Sequence, residues 1–387
     1  MLASNHNHIE NYFLIEELVL LERQEFISKE QLAQLKKSTV TAKTNSNILL
    51  RFAFFLLGNF VISSVLGVFA FILTTLSGQE AFAFWFLVGA IGCVVAAEFI
   101  YIGNYFAYGF DDSFILSITL FFTIAVGIFT EDVTATLAAL VISNIVCTIR
   151  YVHVPSVFFG LIGLIGLVGY AVIEERILPS YYLPIVLFII AVALYFLQSI
   201  MSKSNKNLIY TNVFLIIKIM SLAFGYAALN YFVVRELSES LLSMEIVPNQ
   251  DIPFSELFYI ATFALPLFYI FIGLKKRDRV FLWMGLVTLS LGFASIRYYY
   301  YFLPVEVALM VGGSILFAMV YFSIRKFKES AVGITFKEDK SLNPMAFAAV
   351  QALLVNANVN TQTVSSEQAP MEFGGGEFSG SGSGGSY

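Results

Sequence analysis

Charged side chains inside apolar runs are the residues of this sequence best placed to do chemistry, because each costs a few kcal/mol in hydrocarbon unless it is paired or hydrated. Lys218 is the deepest of them. It falls about nine residues into an apolar stretch at 209–234, and a rise of 1.5 Å per residue puts it about 14 Å from the start, near the bilayer midplane. Thr211, Phe214, Ser221 and Gly225 recur on the same strip at helical spacing. An ammonium there could bind an anionic solute, exchange a proton, or join two helices through a buried pair. Lys218, Ser221 and Thr211 are therefore the candidate ligand or coupling site. Arg51, Glu98 and Arg150 lie at the cytoplasmic ends of apolar runs, with Asp111 and Asp112 on the adjoining loop. Glu256, Arg297 and Glu306 lie at the outer ends. Pairing and snorkelling explain both sets, and a gate of salt bridges in an alternating-access protein is the alternative.

Motifs for other chemistry are missing from the sequence. His6 and His8 belong to a polar terminus and His153 to a short loop, so no paired-histidine metal motif sits on a helix. There is no nucleophile elbow, and the tail glycines follow no strand and open no helix, so they form no phosphate cradle. Cys93 and Cys147 stand alone in apolar stretches and read as packing residues. The expectation is a protein without metal or cofactor and without enzymatic activity. A net charge of -5 also argues against nucleic acid as a partner, because phosphate binding needs clustered Lys and Arg.

The elements that must position these charges are transmembrane helices. The 387 residues are 58% hydrophobic and only 13% charged, against about 25% charged in a soluble domain, and the mean hydropathy is +0.80. Runs long enough for a helix to cross about 30 Å of hydrocarbon recur at 48–76, 81–102, 113–129, 132–149, 155–173, 181–201, 209–234, 254–274, 280–298 and 304–324. These runs are apolar on every side, unlike the alternating strands of a barrel. The fold class expected is an all-α polytopic bundle of about ten helices in a lipid bilayer. With both termini in the cytoplasm, the inner segments hold 17 Lys and Arg and the outer ones only Arg176, Arg235 and Arg297. In helix five, Gly160, Gly163, Gly166 and Gly169 permit close helix approach. The first apolar run follows a charged stretch, so it is expected to act as its own uncleaved insertion signal.

Residues 1–47 form a cytoplasmic helical segment, 48–324 the membrane bundle, 325–356 a juxtamembrane segment with a short helix after Asn343-Pro344, and 357–387 a disordered Gly/Ser-rich tail. Within the first segment residues 9–21 are amphipathic, and Ser28-Lys29-Glu30-Gln31 reads as a capping box opening a second helix through Leu35. Glu16-Glu17-Leu18-Val19, then Ile27-Ser28-Lys29-Glu30-Gln31-Leu32, then many spans, resembles an uncharacterised family of bacterial predicted membrane proteins. That resemblance implies a bacterial cytoplasmic membrane and carries no activity. The tail from Phe373 to Tyr387 resembles the Gly/Ser-rich tails of TPM-domain membrane proteins.

Two functions follow. One is a non-enzymatic membrane scaffold or sensor whose N-terminal helices or C-terminal tail contact a cytoplasmic protein. The alternative is a secondary transporter of a small, for instance anionic, solute using Lys218. A polar cavity reaching Lys218 would favour transport, and a filled bundle with Lys218 paired would favour the scaffold.

Overall fold

The computed structural model describes residues 6–23, 25–73, 79–203, 205–240, 252–276 and 278–299, with scattered positions between 307 and 325. Its architecture is all-α. Two short helices, α1 (His6–Arg23) and α2 (Lys29–Ser38), precede α3 (Ile48–Leu73), α4 (Gln79–Ile102), α5 (Phe110–Thr130), α6 (Val133–Tyr151) and α7 (Val154–Ile173). Then come α8 (Leu183–Met201), α9 (Thr211–Leu229), α10 (Tyr231–Ser240), α11 (Ser255–Lys276) and α12 (Arg279–Tyr299). Eight of the described helices are long and apolar enough to cross a membrane, and α12 carries a shorter apolar stretch. The chain is a multi-pass membrane protein. The tenth span at 304–324, apart from isolated positions, the helix after Pro344 and the tail lie outside the described residues, as does Glu306.

Helix ends follow local chemistry. Ser28 and Gln31 exchange the two bonds of a capping box at the start of α2. The Asp132 carboxylate caps α6 by accepting from the Thr134 and Ala135 amides. The preceding Glu131 is left-handed (φ 50°) and closes α5, so two residues suffice to turn the chain between α5 and α6. His153 caps α7 ahead of Pro155, whose missing N–H costs nothing in a first turn.

Packing runs mainly between chain neighbours. α4 lies on α5, α6 on α7, α8 on α9 and α11 on α12, while α5 and α9 tie these pairs together. The glycine face of α7 meets α6: a Cβ on Gly160 would stand 3.1 Å from Asn144 Cβ, and one on Gly163 would stand 3.0 Å from Leu140. Close approach is therefore what those two glycines provide.

Two expectations change. Asp111 and Asp112 are in the first turn of α5, not on a loop, because the helix begins at Phe110. The span expected at 209–234 breaks at Asn230, whose extended backbone (ψ 122°) ends α9 and whose N–H still reaches the Tyr226 carbonyl. The amphipathic α10 then starts a separate element, which leaves α9 only 19 residues long. The N-terminal helices, whose placement the sequence left open, are docked on the bundle. Ile9, Phe13, Leu14, Leu18 and Leu21 form a buried stripe on α1, packed on Phe106, Tyr151, Leu208 and Ile209 of the bundle and on Ile27 and Leu32.

Candidate functional site

The charges gather at one end of the bundle, where α3, α5, α7 and α12 begin and α4, α6 and α11 end. Arg51 of α3 donates two bonds to Asp112 of α5, Nε to Oδ2 at 2.7 Å and Nη2 to Oδ1 at 2.9 Å. That two-pronged geometry is the strong form of the pair. His153 closes the group from α7, with Nε2 3.2 Å from Asp112 Oδ1. Its Nδ1 accepts the Ser156 backbone N–H, which turns the Nε2 edge of the ring towards the carboxylate, close to it but without hydrogen-bond geometry.

Asp111 has a different task. Its oxygens accept the backbone amides of Ala107, Tyr108 and Gly109 at 2.7 to 2.9 Å, which fixes the tight connection between α4 and α5. Gly109 is needed there, since its φ is +108° and a Cβ would fall 2.1 Å from the Arg51 carbonyl oxygen. Next to this group, Glu98 Oε1 accepts from Arg150 Nε at 2.6 Å and from the Tyr151 hydroxyl at 2.8 Å. Tyr101, almost fully buried, donates to the Tyr151 carbonyl.

The N-terminal segment lies over this end. Lys43 N–H donates to the Asn104 carbonyl at 2.7 Å, and Phe106 N–H donates back to Lys43 at 3.0 Å. His8 Nδ1 donates to Asn104 Oδ1 at 2.9 Å. Tyr12, on α1, is pushed above its usual phenol range by burial and then by its bond to Glu16, while the Arg51 charge acts in the opposite sense.

Lys218 is not at mid-bundle. Its ammonium pairs with Asp278 in the turn joining α11 to α12 and lies 5.4 Å from the centre of the Phe281 ring. The depth expected from the sequence counted from residue 209 as the membrane boundary. In the fold Leu208 and Ile209 are instead packed under α1, so the first turns of α9 stand beyond the ends of α11 and α12. Asp278 also caps α12, its Oδ1 accepting from the amides of Val280 and Phe281. The Thr211 hydroxyl donates to the Leu208 carbonyl and the Ser221 hydroxyl to Ile217, both at 2.6 Å. Backbone carbonyls thus take the protons that a ligand would need.

The structure places Glu256 in the first turn of α11 and Arg297 in the last turn of α12, each favourable for the helix dipole, and joins neither to an ion pair among the described residues. Asp278, His153 and Asn230 are the site residues that sequence reasoning missed. Asp278 immediately before an apolar run is a cap signal, and Asn230 was an amide inside an apparent span. Asn230 Nδ2 donates to the Tyr226 hydroxyl at 2.7 Å and to Ser295 Oγ at 3.2 Å, and the freed Tyr231 N–H donates to Thr262 Oγ1. Among the described residues no group of three or more His, Cys, Asp and Glu could hold a metal ion. No protein-family model, curated protein or solved structure matches this chain.

Proposed function

We propose that the protein is a non-enzymatic scaffold or sensor of a membrane, facing the cytoplasm with its N-terminal helices, and that the membrane is the cytoplasmic membrane of a bacterium. The observation carrying this reading is the state of Lys218: its ammonium is held by Asp278 against an aromatic ring. A cavity of about 220 Å³ between α7, α8, α9 and α10 is lined by aliphatic and aromatic side chains and does not include Lys218. A solute site would need convergent polar groups. Because the apolar stripe of α1 is occupied within the chain, a protein partner would meet the outward face of α2, where Lys29, Glu30, Gln34, Lys36 and Lys37 are exposed.

A secondary transporter of a small anionic solute is the second reading, favoured by the break at Asn230, since discontinuous helices line many transport sites. Thermal unfolding of the detergent-solubilised chain against a panel of metabolites and ions separates the two. A ligand at about 100 times its Kd stabilises by about 2.7 kcal/mol. A scaffold gives no such shift, and crosslinking recovers a cytoplasmic protein that is lost when Lys36 and Lys37 are changed to Glu. A soluble ligand whose shift disappears in Lys218→Gln would overturn the scaffold reading in favour of transport.

A further inference from the structure

The turn from α11 to α12 carries Lys275, Lys276, Arg277 and Arg279 around a single carboxylate, Asp278. That carboxylate is turned inward. One of its oxygens takes the Lys218 ammonium, and the other caps α12 by accepting the Val280 and Phe281 amides. Lys275, Lys276 and Arg279 are exposed, and neither lysine joins an ion pair among the described residues. Elsewhere at this end the cations of the membrane helices are answered, Arg51 by Asp112 and Arg150 by Glu98.

The position of the charge is as specific as its sign. Leu267, Phe268, Phe271 and Leu274 are exposed along the last turns of α11, a helix long and apolar enough to cross the membrane, so they face hydrocarbon. The Lys275 ammonium lies over the Phe271 ring, 5.9 Å from its centre, and therefore on that lipid-facing side. On α12, Trp283 is 66% exposed one turn beyond Arg279, as indole rings are where a helix meets the membrane boundary. Cations that stand above lipid-facing rings at this boundary are at the level of the lipid phosphates.

We propose that the α11–α12 turn is a docking surface for the headgroup of an anionic phospholipid, drawn from the leaflet at the end of the bundle that carries α1. The phosphate is attracted to Lys275 and Lys276, Arg277 and Arg279 add to the field, and the acyl chains lie along the apolar side of α11. The general excess of Lys and Arg on cytoplasmic loops would be met equally well with Asp278 paired inside the turn. Its withdrawal to Lys218 is what leaves the charge of the turn for an anion from outside. This inference does not depend on the choice between scaffold and transporter.

The test is native mass spectrometry of the full chain in mild detergent, titrated with phosphatidylglycerol or with phosphatidylcholine of the same acyl chains. Phosphatidylglycerol is expected to bind the tighter of the two. Lys275→Gln and Lys276→Gln are each expected to weaken it about 5-fold, with phosphatidylcholine binding and the circular dichroism of the protein unchanged. Lys29→Gln, which removes an exposed charge from α2, is expected to leave both lipids bound as before. Equal affinity for the two lipids, or phosphatidylglycerol binding unchanged in the variant that combines Lys275→Gln with Lys276→Gln, would overturn the proposal. So would an equal loss in Lys29→Gln, because total charge rather than this turn would then set the affinity. Displacement of phosphatidylglycerol by inorganic phosphate would make the turn a site for a soluble anion. A photocrosslink from a probe at position 275 to the acidic pair Glu338-Asp339 would make the chain's own C-terminal segment the occupant, and either result also overturns the proposal.

Discussion

At the scale of single residues, the bundle end is organised by carboxylates that each answer a specific donor. Lys218 and Asp278 are both about four-fifths buried, with side chains 17% and 24% exposed. Their pair should therefore be worth more than a surface bridge and less than a fully desolvated one, about 1–3 kcal/mol. Asp278→Asn keeps a good cap on α12 while removing the charge, so it isolates the electrostatic part. We expect Lys218→Gln and Asp278→Asn each to lower the unfolding temperature, and the double variant to cost clearly less than the sum. Strict additivity in that cycle would mean that the two groups do not interact. Gly109 makes a sharper demand, because no side chain fits between it and the Arg51 carbonyl. Gly109→Ala should cost more than about 3 kcal/mol through combined strain and overlap, and hydrogen exchange should show the amides of Ala107 and Tyr108 losing protection first.

At the scale of elements, how far each helix could be read from sequence depended on what ends it. The capping box of α2 and the Asp132 cap of α6 are local chemistry, visible in four residues. The break at Asn230 was not visible, because Ser295, which meets the Asn230 side chain, and Thr262, which takes the Tyr231 N–H, come from two other helices. The same reason hid the Lys218 partner, which lies 60 positions away in the chain. Arg51, Glu98 and Arg150 could be recognised as paired charges, but not which carboxylate answers which cation. The docking of α1 likewise needed the fold, although its stripe at 9, 13, 14, 18 and 21 was a helical pattern from the start. Leu18, 2% exposed, is the centre of that contact. Leu18→Asp should release α1 as a unit, so that amides at 9–21 exchange rapidly while the membrane helices keep their protection. A uniform loss of protection throughout the chain would instead make α1 part of the bundle's cooperative core.

For the whole molecule, the distribution of charge and the order of the helices agree on which segments share an end. Residues of α1, the α4–α5 connection, the 3₁₀ segment Asn205–Tyr210 and the α11–α12 turn share one end, through contacts such as Lys43 with Asn104 and Lys218 with Asp278. The α5–α6 turn and α10 belong to the other end. The end with α1 is also the one on which the sequence concentrates its Lys and Arg, as cytoplasmic loops do. Single cysteine reporters can test this, because the native Cys93 and Cys147 are both buried. Lys36, Glu131 and Glu239 are exposed and lie on α2, the α5–α6 turn and α10. With a membrane-impermeant maleimide on intact cells, Glu131→Cys and Glu239→Cys should label at once, and Lys36→Cys only after the membrane is opened. The reverse pattern would invert the molecule and leave the basic end outside, against the charge rule. Labelling of Glu131→Cys and Glu239→Cys from opposite sides would instead mean that one of α6 to α9 fails to cross, since those four helices must carry the chain back to the side from which α6 departs.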